Sequence, residues 1–86
     1  MLPPPETDVL HVLEACRGLI SELRLADMID LARHGEPGIA LENLCSELDD
    51  QQVALDDLTL AKIERLGTKM GLRSDYWLRL RRTPFR

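Results

Sequence analysis

Apolar residues recur at steps of three and four along this chain, and glycine or proline cuts the pattern at short intervals. Val9, Leu10, Val12, Leu13, Cys16, Leu19, Ile20 and Leu23 share one face of an α-helix on that spacing. Thr7 or Asp8 suits its N-cap, with negative charge near the positive helix end. Gly18 interrupts the stripe at a cost of about 1 kcal/mol against alanine and is expected to mark close helix packing. Leu25, Met28, Ile29 and Ala32 continue a helical stripe to His34, and Gly35 is a natural stop. One bent helix and two helices parted near Arg24 both fit this stretch.

Glu36-Pro37-Gly38 opens the next helix, because proline suits the first helical position, where its missing N–H is no loss. Ile39, Leu41, Leu44, Cys45 and Leu48 form its apolar side, and Asp49 to Leu55 makes a short connection. Asp56 or Asp57 caps a fourth helix carrying Leu58, Ala61, Ile63, Leu66 and Met70, closed by Gly71. Lys62, Arg65 and Lys69 lie toward its C-terminal half, where positive charge suits the macrodipole. Ser74 or Asp75 caps a last short helix with Tyr76, Trp77, Leu78 and Leu80, and Pro84 stops it. The side-chain inventory agrees: 17 leucines and 6 alanines stand against 11 valines, isoleucines and threonines together. The expectation is an all-α fold, a compact bundle of four to five short helices. It forms a single domain over 1–86, with a proline-rich extended lead-in over 1–6 and a basic C-terminal tail over 81–86.

No apolar run approaches the roughly 20 residues of a membrane helix, and the N-terminal stretch has neither the basic start nor the apolar core of a signal peptide. The expected compartment is the cytoplasm, where Cys16 and Cys45 stay reduced as small core residues. His11 and His34 stand in no metal-ligand spacing with a cysteine, and no phosphate-binding glycine loop is present. No nucleophile, base and orienting group can be nominated together. The chain is therefore read as a non-enzyme without metal or cofactor, and His34 as a turn histidine at a helix C-terminus.

The net charge of −4 conceals a strong asymmetry. Residues 1–60 hold 13 acids and 3 bases, whereas residues 61–86 hold 2 acids and 8 bases. Such polarity speaks of partners or self-association rather than fold. Glu42, Glu47, Asp49 and Asp50 avoid the apolar side of the third helix. The last three sit at or beyond its C-terminus, where each negative charge opposes the macrodipole by about 0.3–1 kcal/mol. Asp27 and Asp30 add a patch on the preceding segment, and Asp56 and Asp57 follow nearby in sequence. A dense acidic surface repels nucleic acid and attracts a basic protein. The C-terminus points elsewhere: Tyr76, Trp77 and Phe85 fall among Arg73, Arg79, Arg81, Arg82 and Arg86. Arginines beside stacking rings are one recipe for binding single-stranded nucleic acid. Trp77 and Leu80, three apart, are better read as anchors of the last helix. A third reading has the chain assemble head to tail, acidic half against basic half.

The run His34-Gly35-Glu36-Pro37-Gly38-Ile39-Ala40-Leu41-Glu42-Asn43-Leu44-Cys45 resembles the MafI-type immunity proteins, small bacterial proteins encoded beside secreted polymorphic toxins. Leu66-Gly67, Met70-Gly71-Leu72 and Asp75-Tyr76-Trp77 are similar to a later segment of that family, so the likeness covers about residues 10–78. The resemblance implies an all-α protein that binds a cognate toxin domain and blocks it. A monomer or weak homodimer is expected. Toxins of this family are commonly nucleases with basic substrate grooves. An acidic inhibitor fits such a groove, with Asp27, Asp30, Glu42, Glu47, Asp49, Asp50, Asp56 and Asp57 as the toxin-facing surface. Gly35 and Gly38 then read as backbone requirements of the shared turn, and Glu36 as an acid at a helix N-terminus.

Overall fold

The computed structural model describes residues 5–81 and contains five helices in the order α1 Pro5–Ala15, α2 Glu22–Arg33, α3 Pro37–Asp50, α4 Asp57–Lys69 and α5 Asp75–Leu78. Among the described residues the only β-type pairing is an isolated bridge between Arg17 and Ile20. The all-α bundle read from the sequence is the fold observed.

The first two helices are separate, and their break lies before Arg24. Gly18 holds φ at +91°, a left-handed conformation that ends the α1 path. Nothing lies within 4 Å of where its Cβ would stand, so Gly18 serves the turn and not close packing. Ser21 then caps α2, its Oγ accepting from the Arg24 N–H at 3.2 Å. Arg17 bonds Glu14 through Nε at 2.9 Å and Nη2 at 2.8 Å and also reaches Glu22, tying the two helices across the turn. The start of α1 differs too. It begins at Pro5, so Pro5 and Glu6 are helical and neither Thr7 nor Asp8 is the cap. Proline belongs at a first helical position for the same reason it does in α3. The rest of the lead-in, residues 1–4, and the tail from residue 82, with Arg82, Pro84, Phe85 and Arg86, lie outside the described residues.

The later boundaries follow the sequence reading closely. Gly35, at φ +86°, terminates α2 in a Schellman turn: the Glu36 N–H donates to the Leu31 carbonyl at 2.9 Å. Pro37 occupies the first turn of α3. Gly38 is ordinary helix, where an added Cβ would meet Leu72 at 3.8 Å, so it is no backbone requirement. Asp56 is the cap of α4, and Oδ1 accepts from the Thr59 N–H at 2.7 Å.

One continuous core joins the helices. It includes Val9 and Leu13 of α1, Leu25 and Ala32 of α2, Leu41, Leu44 and Leu48 of α3, and Leu60, Ile63 and Leu66 of α4. α2 and α3 form the most extensive helix pair, while α1 touches α2, α3 and α4. α5 closes the open side against α3 and α4, with Trp77 and Leu80 buried as anchors. Leu19, Leu23, Ile39 and Leu58, read as core from their spacing, are exposed instead. Leu19 falls in the interhelix turn, and the other three lie near helix starts, where the periodic stripe outruns the packed surface.

Trp77 depends on Gly67. A Cβ on Gly67 would stand 2.2 Å from Cζ3 of the indole. Gly67→Ala should therefore destabilise the protein by about 1–3 kcal/mol through overpacking, despite the roughly 1 kcal/mol that alanine gains in helix propensity. Urea unfolding measures this, and a stabilised variant would contradict the packing. The thiols give a second test. Cys16 and Cys45 are free and completely buried. Burial pushes Cys16 up to about 11 and Cys45 up to about 12. Neither thiol should react with a thiol reagent at pH 8 until the protein unfolds, and both should react in denaturant.

Candidate functional site

The eight acids singled out from the sequence do not share one surface. Helical steps of about 100° place Asn43, Glu47 and Asp50 on one side of α3 and Glu42 and Asp49 on the other. The first side faces α2. There Asp27, Glu47 and Asp50 line an open groove of about 570 Å³ together with Arg24, Met28, Leu31, Asn43 and Ser46. The groove continues past Arg24, Glu47 and Asp50 to Gly18, Leu19, Ile20 and Ser21. Its apolar stretch comes from Met28, Leu31 and the exposed Leu19, and its acids stand at the middle and at one end.

The remaining acids take other positions. Asp49 faces α5, beside Tyr76 and Arg79. Glu42 is close enough to act electrostatically on Arg73 and on Cys45. Asp30 lies about 60° round α2 from Asp27, on the solvent side, and is exposed. Its backbone carbonyl takes the ring Nδ1 of His34 at 2.7 Å, fixing that histidine as a helix C-cap. Asp57 is exposed in the first turn of α4. Asp56 is a structural cap.

The ion pairs of the described residues lie outside the groove: Glu14 and Glu22 with Arg17, Asp8 with Lys69, Asp75 with Arg73 and Arg79, and Glu64 with Arg81. Among the described residues Asp27, Glu47 and Asp50 have no ion-pair partner, although Arg24 lines the same groove. Glu6, Asp30, Glu36 and Asp57 also belong to no ion pair, so what sets the groove apart is that its three unpaired acids share one concave surface. Glu47 and Asp50 also stand in the last turn of α3, which carries no basic residue. They oppose the macrodipole there, as the sequence indicated, and sites of function often break such a local rule. No group of three or more His, Cys, Asp or Glu side chains among the described residues is placed to hold a metal ion. The groove presents carboxylates beside apolar surface.

The basic residues also sort differently from their order in sequence. Arg73, Arg79 and Arg81 each pair with a carboxylate, and Arg73 sits 5.9 Å from the Tyr76 ring centroid. Lys62, Arg65 and Lys69 instead share one exposed face of α4, bordering a cleft with Asp8 and Val12 of α1. Their spacing of three and four already implied a common face.

No family model, curated protein or solved structure matches the chain. Among the described residues no helix is long and apolar enough to cross a membrane.

The site geometry assigns Asp56 to stability rather than recognition. Its hydrogen bonds to Thr59 hold its carboxyl below the usual carboxylate range. A depressed folded pKa stabilises the fold above the unfolded value, about 3.9, and that contribution is lost as pH falls through the folded value. Asp56→Ala should lower the urea midpoint at pH 7 and differ less from the native chain near pH 3. An equal difference at both pH values would contradict the charged cap.

Proposed function

We propose that this protein is an inhibitory binding protein of the immunity type, which docks a basic toxin domain into the α2–α3 groove. The observation that carries the reading is the set of three uncompensated carboxylates, Asp27, Glu47 and Asp50, around a groove with an apolar stretch. Negative charge at Glu47 and Asp50 costs helix stability, and the three acids have no ion-pair partner among the described residues, which is the expected signature of a surface kept for another molecule. A nuclease domain presents cations arranged for phosphates, and carboxylates set on a rigid helix pair can occupy those cations in place of substrate. The resemblance of residues 34–45 to the MafI-type immunity proteins agrees with this partner class. A nucleic-acid-binding role for the C-terminal arginines is less supported, because Arg73, Arg79 and Arg81 are already engaged with carboxylates.

The test is a binding titration against the inactivated C-terminal domain of a secreted toxin encoded in the neighbouring gene. Saturable one-to-one binding is expected. Asp27→Lys/Glu47→Lys should slow association at low salt by about tenfold or more, since steering by complementary charge governs the on-rate. Asp30→Lys/Asp57→Lys changes the net charge equally but lies outside the groove, and should have a much smaller effect. Equal slowing by both pairs would assign the attraction to net charge and reject the groove.

A further inference from the structure

We propose that the outer face of α4 docks into the α2–α3 groove of a second copy of this chain, so that the protein self-associates head to tail. Leu58, Lys62, Arg65 and Lys69 stand at i, i+4, i+7 and i+11. They fall within an arc of about 60° on the helix. All four are exposed, and Leu58 is 66% accessible although it is a large apolar side chain. One apolar residue followed by three cations on one helical stripe makes a face complementary in charge to an acidic groove.

The complementary surface is on the same molecule. The groove offers Leu31 at one end, Asp27 in the middle, and Glu47 and Asp50 at the other end, where Arg24 offsets part of their charge. Leu58 of one copy seats toward Leu31 of the next, and its cations run toward Glu47 and Asp50. The lengths agree, since the 13 residues of α4 and the 14 of α3 span about 20 Å each. Among the described residues this face meets α1 along one edge, where it borders Asp8 and Val12 and Lys69 Nζ lies 3.6 Å from Asp8.

A polyanion is the poorer occupant. The chain carries a net charge of −4 and its uncompensated acids repel phosphate. The contact proposed is heterologous, because face and groove are different surfaces. Each bound copy keeps one free face and one free groove, so assembly continues with concentration. Net self-repulsion keeps it weak. The inference shares the groove with the toxin reading but does not rest on it.

Sedimentation of the full chain decides the matter. At low salt the average mass should rise with concentration past twice the monomer mass, and return to the monomer at high salt. Lys62→Glu/Arg65→Glu and Asp27→Lys/Glu47→Lys should each stay monomeric where the native chain associates. Mixed together, they should associate again, because the intact face of one meets the intact groove of the other and the two reversed surfaces are themselves of opposite charge. Lys62→Gln/Arg65→Gln, which adds no new charge, should also lose association, and circular dichroism checks that each variant folds. A native chain that stays monomeric at low salt, or a mixture that stays monomeric, overturns the proposal. So does capture of a labelled single-stranded oligonucleotide through Lys62 and Arg65 without self-association. Binding of a toxin domain by Lys62→Glu/Arg65→Glu reads the groove separately, so failure of one idea does not imply failure of the other.

Discussion

The pairing of α2 with α3 is the constraint on which the rest of the structure depends. It buries Leu25, Met28 and Ala32 on one side and Ala40, Leu41, Leu44 and Leu48 on the other. Two rigid helices packed in this way leave a groove along their solvent edge, and its lining is set by helical phase. Asp27 cannot avoid facing Glu47 and Asp50 once Met28 and Leu48 are buried. The acidic groove is thus a consequence of the core and needs no separate scaffold. α1 packs against both helices of the pair, α4 against α1 and α3, and α5 seals the remaining edge through Trp77.

Charge follows the same architecture. Opposite charges that meet across α1, α4 and α5 compensate one another, as in Lys69 with Asp8 and Arg81 with Glu64. Such exposed pairs add little stability individually, but they engage Arg73, Arg79 and Arg81. Among the described residues, Asp27, Glu47 and Asp50 of the α2–α3 groove and Lys62 and Arg65 of the α4 face belong to no ion pair, so each surface presents charge of one prevailing sign.

Much of the fold was legible because its boundaries rest on local chemistry. Pro37 must start a helix, Gly35 can end one, and Asp56 has a backbone N–H three residues on to accept from. The break at Gly18 was not legible. Periodicity continues through it, and only the backbone angle reveals that the chain turns there. Gly67 drew no packing assignment because its meaning depends on Trp77, ten residues away and on another helix. Ile39 and Leu58 fit apolar stripes yet remain exposed, since spacing reports phase and not where the neighbouring helix ends. The candidate site was half legible for the same reason. The acids at the end of α3 were identifiable from their conflict with the macrodipole. Their division into Glu47 and Asp50 toward α2 and Asp49 toward α5 depends on which helix packs on which side. The cations of α4 fitted the macrodipole well enough that their common face was overlooked.

The central claim is that the α2–α3 groove is where a basic protein docks. Amide chemical-shift mapping of the isotope-labelled chain, titrated with the inactivated toxin domain, tests it most directly. The account predicts shifts concentrated at 18–31 on the α2 side and 43–51 on the α3 side, with α5 and its arginines undisturbed. Shifts centred on α5 or on the outer face of α4, with the groove silent, would contradict it.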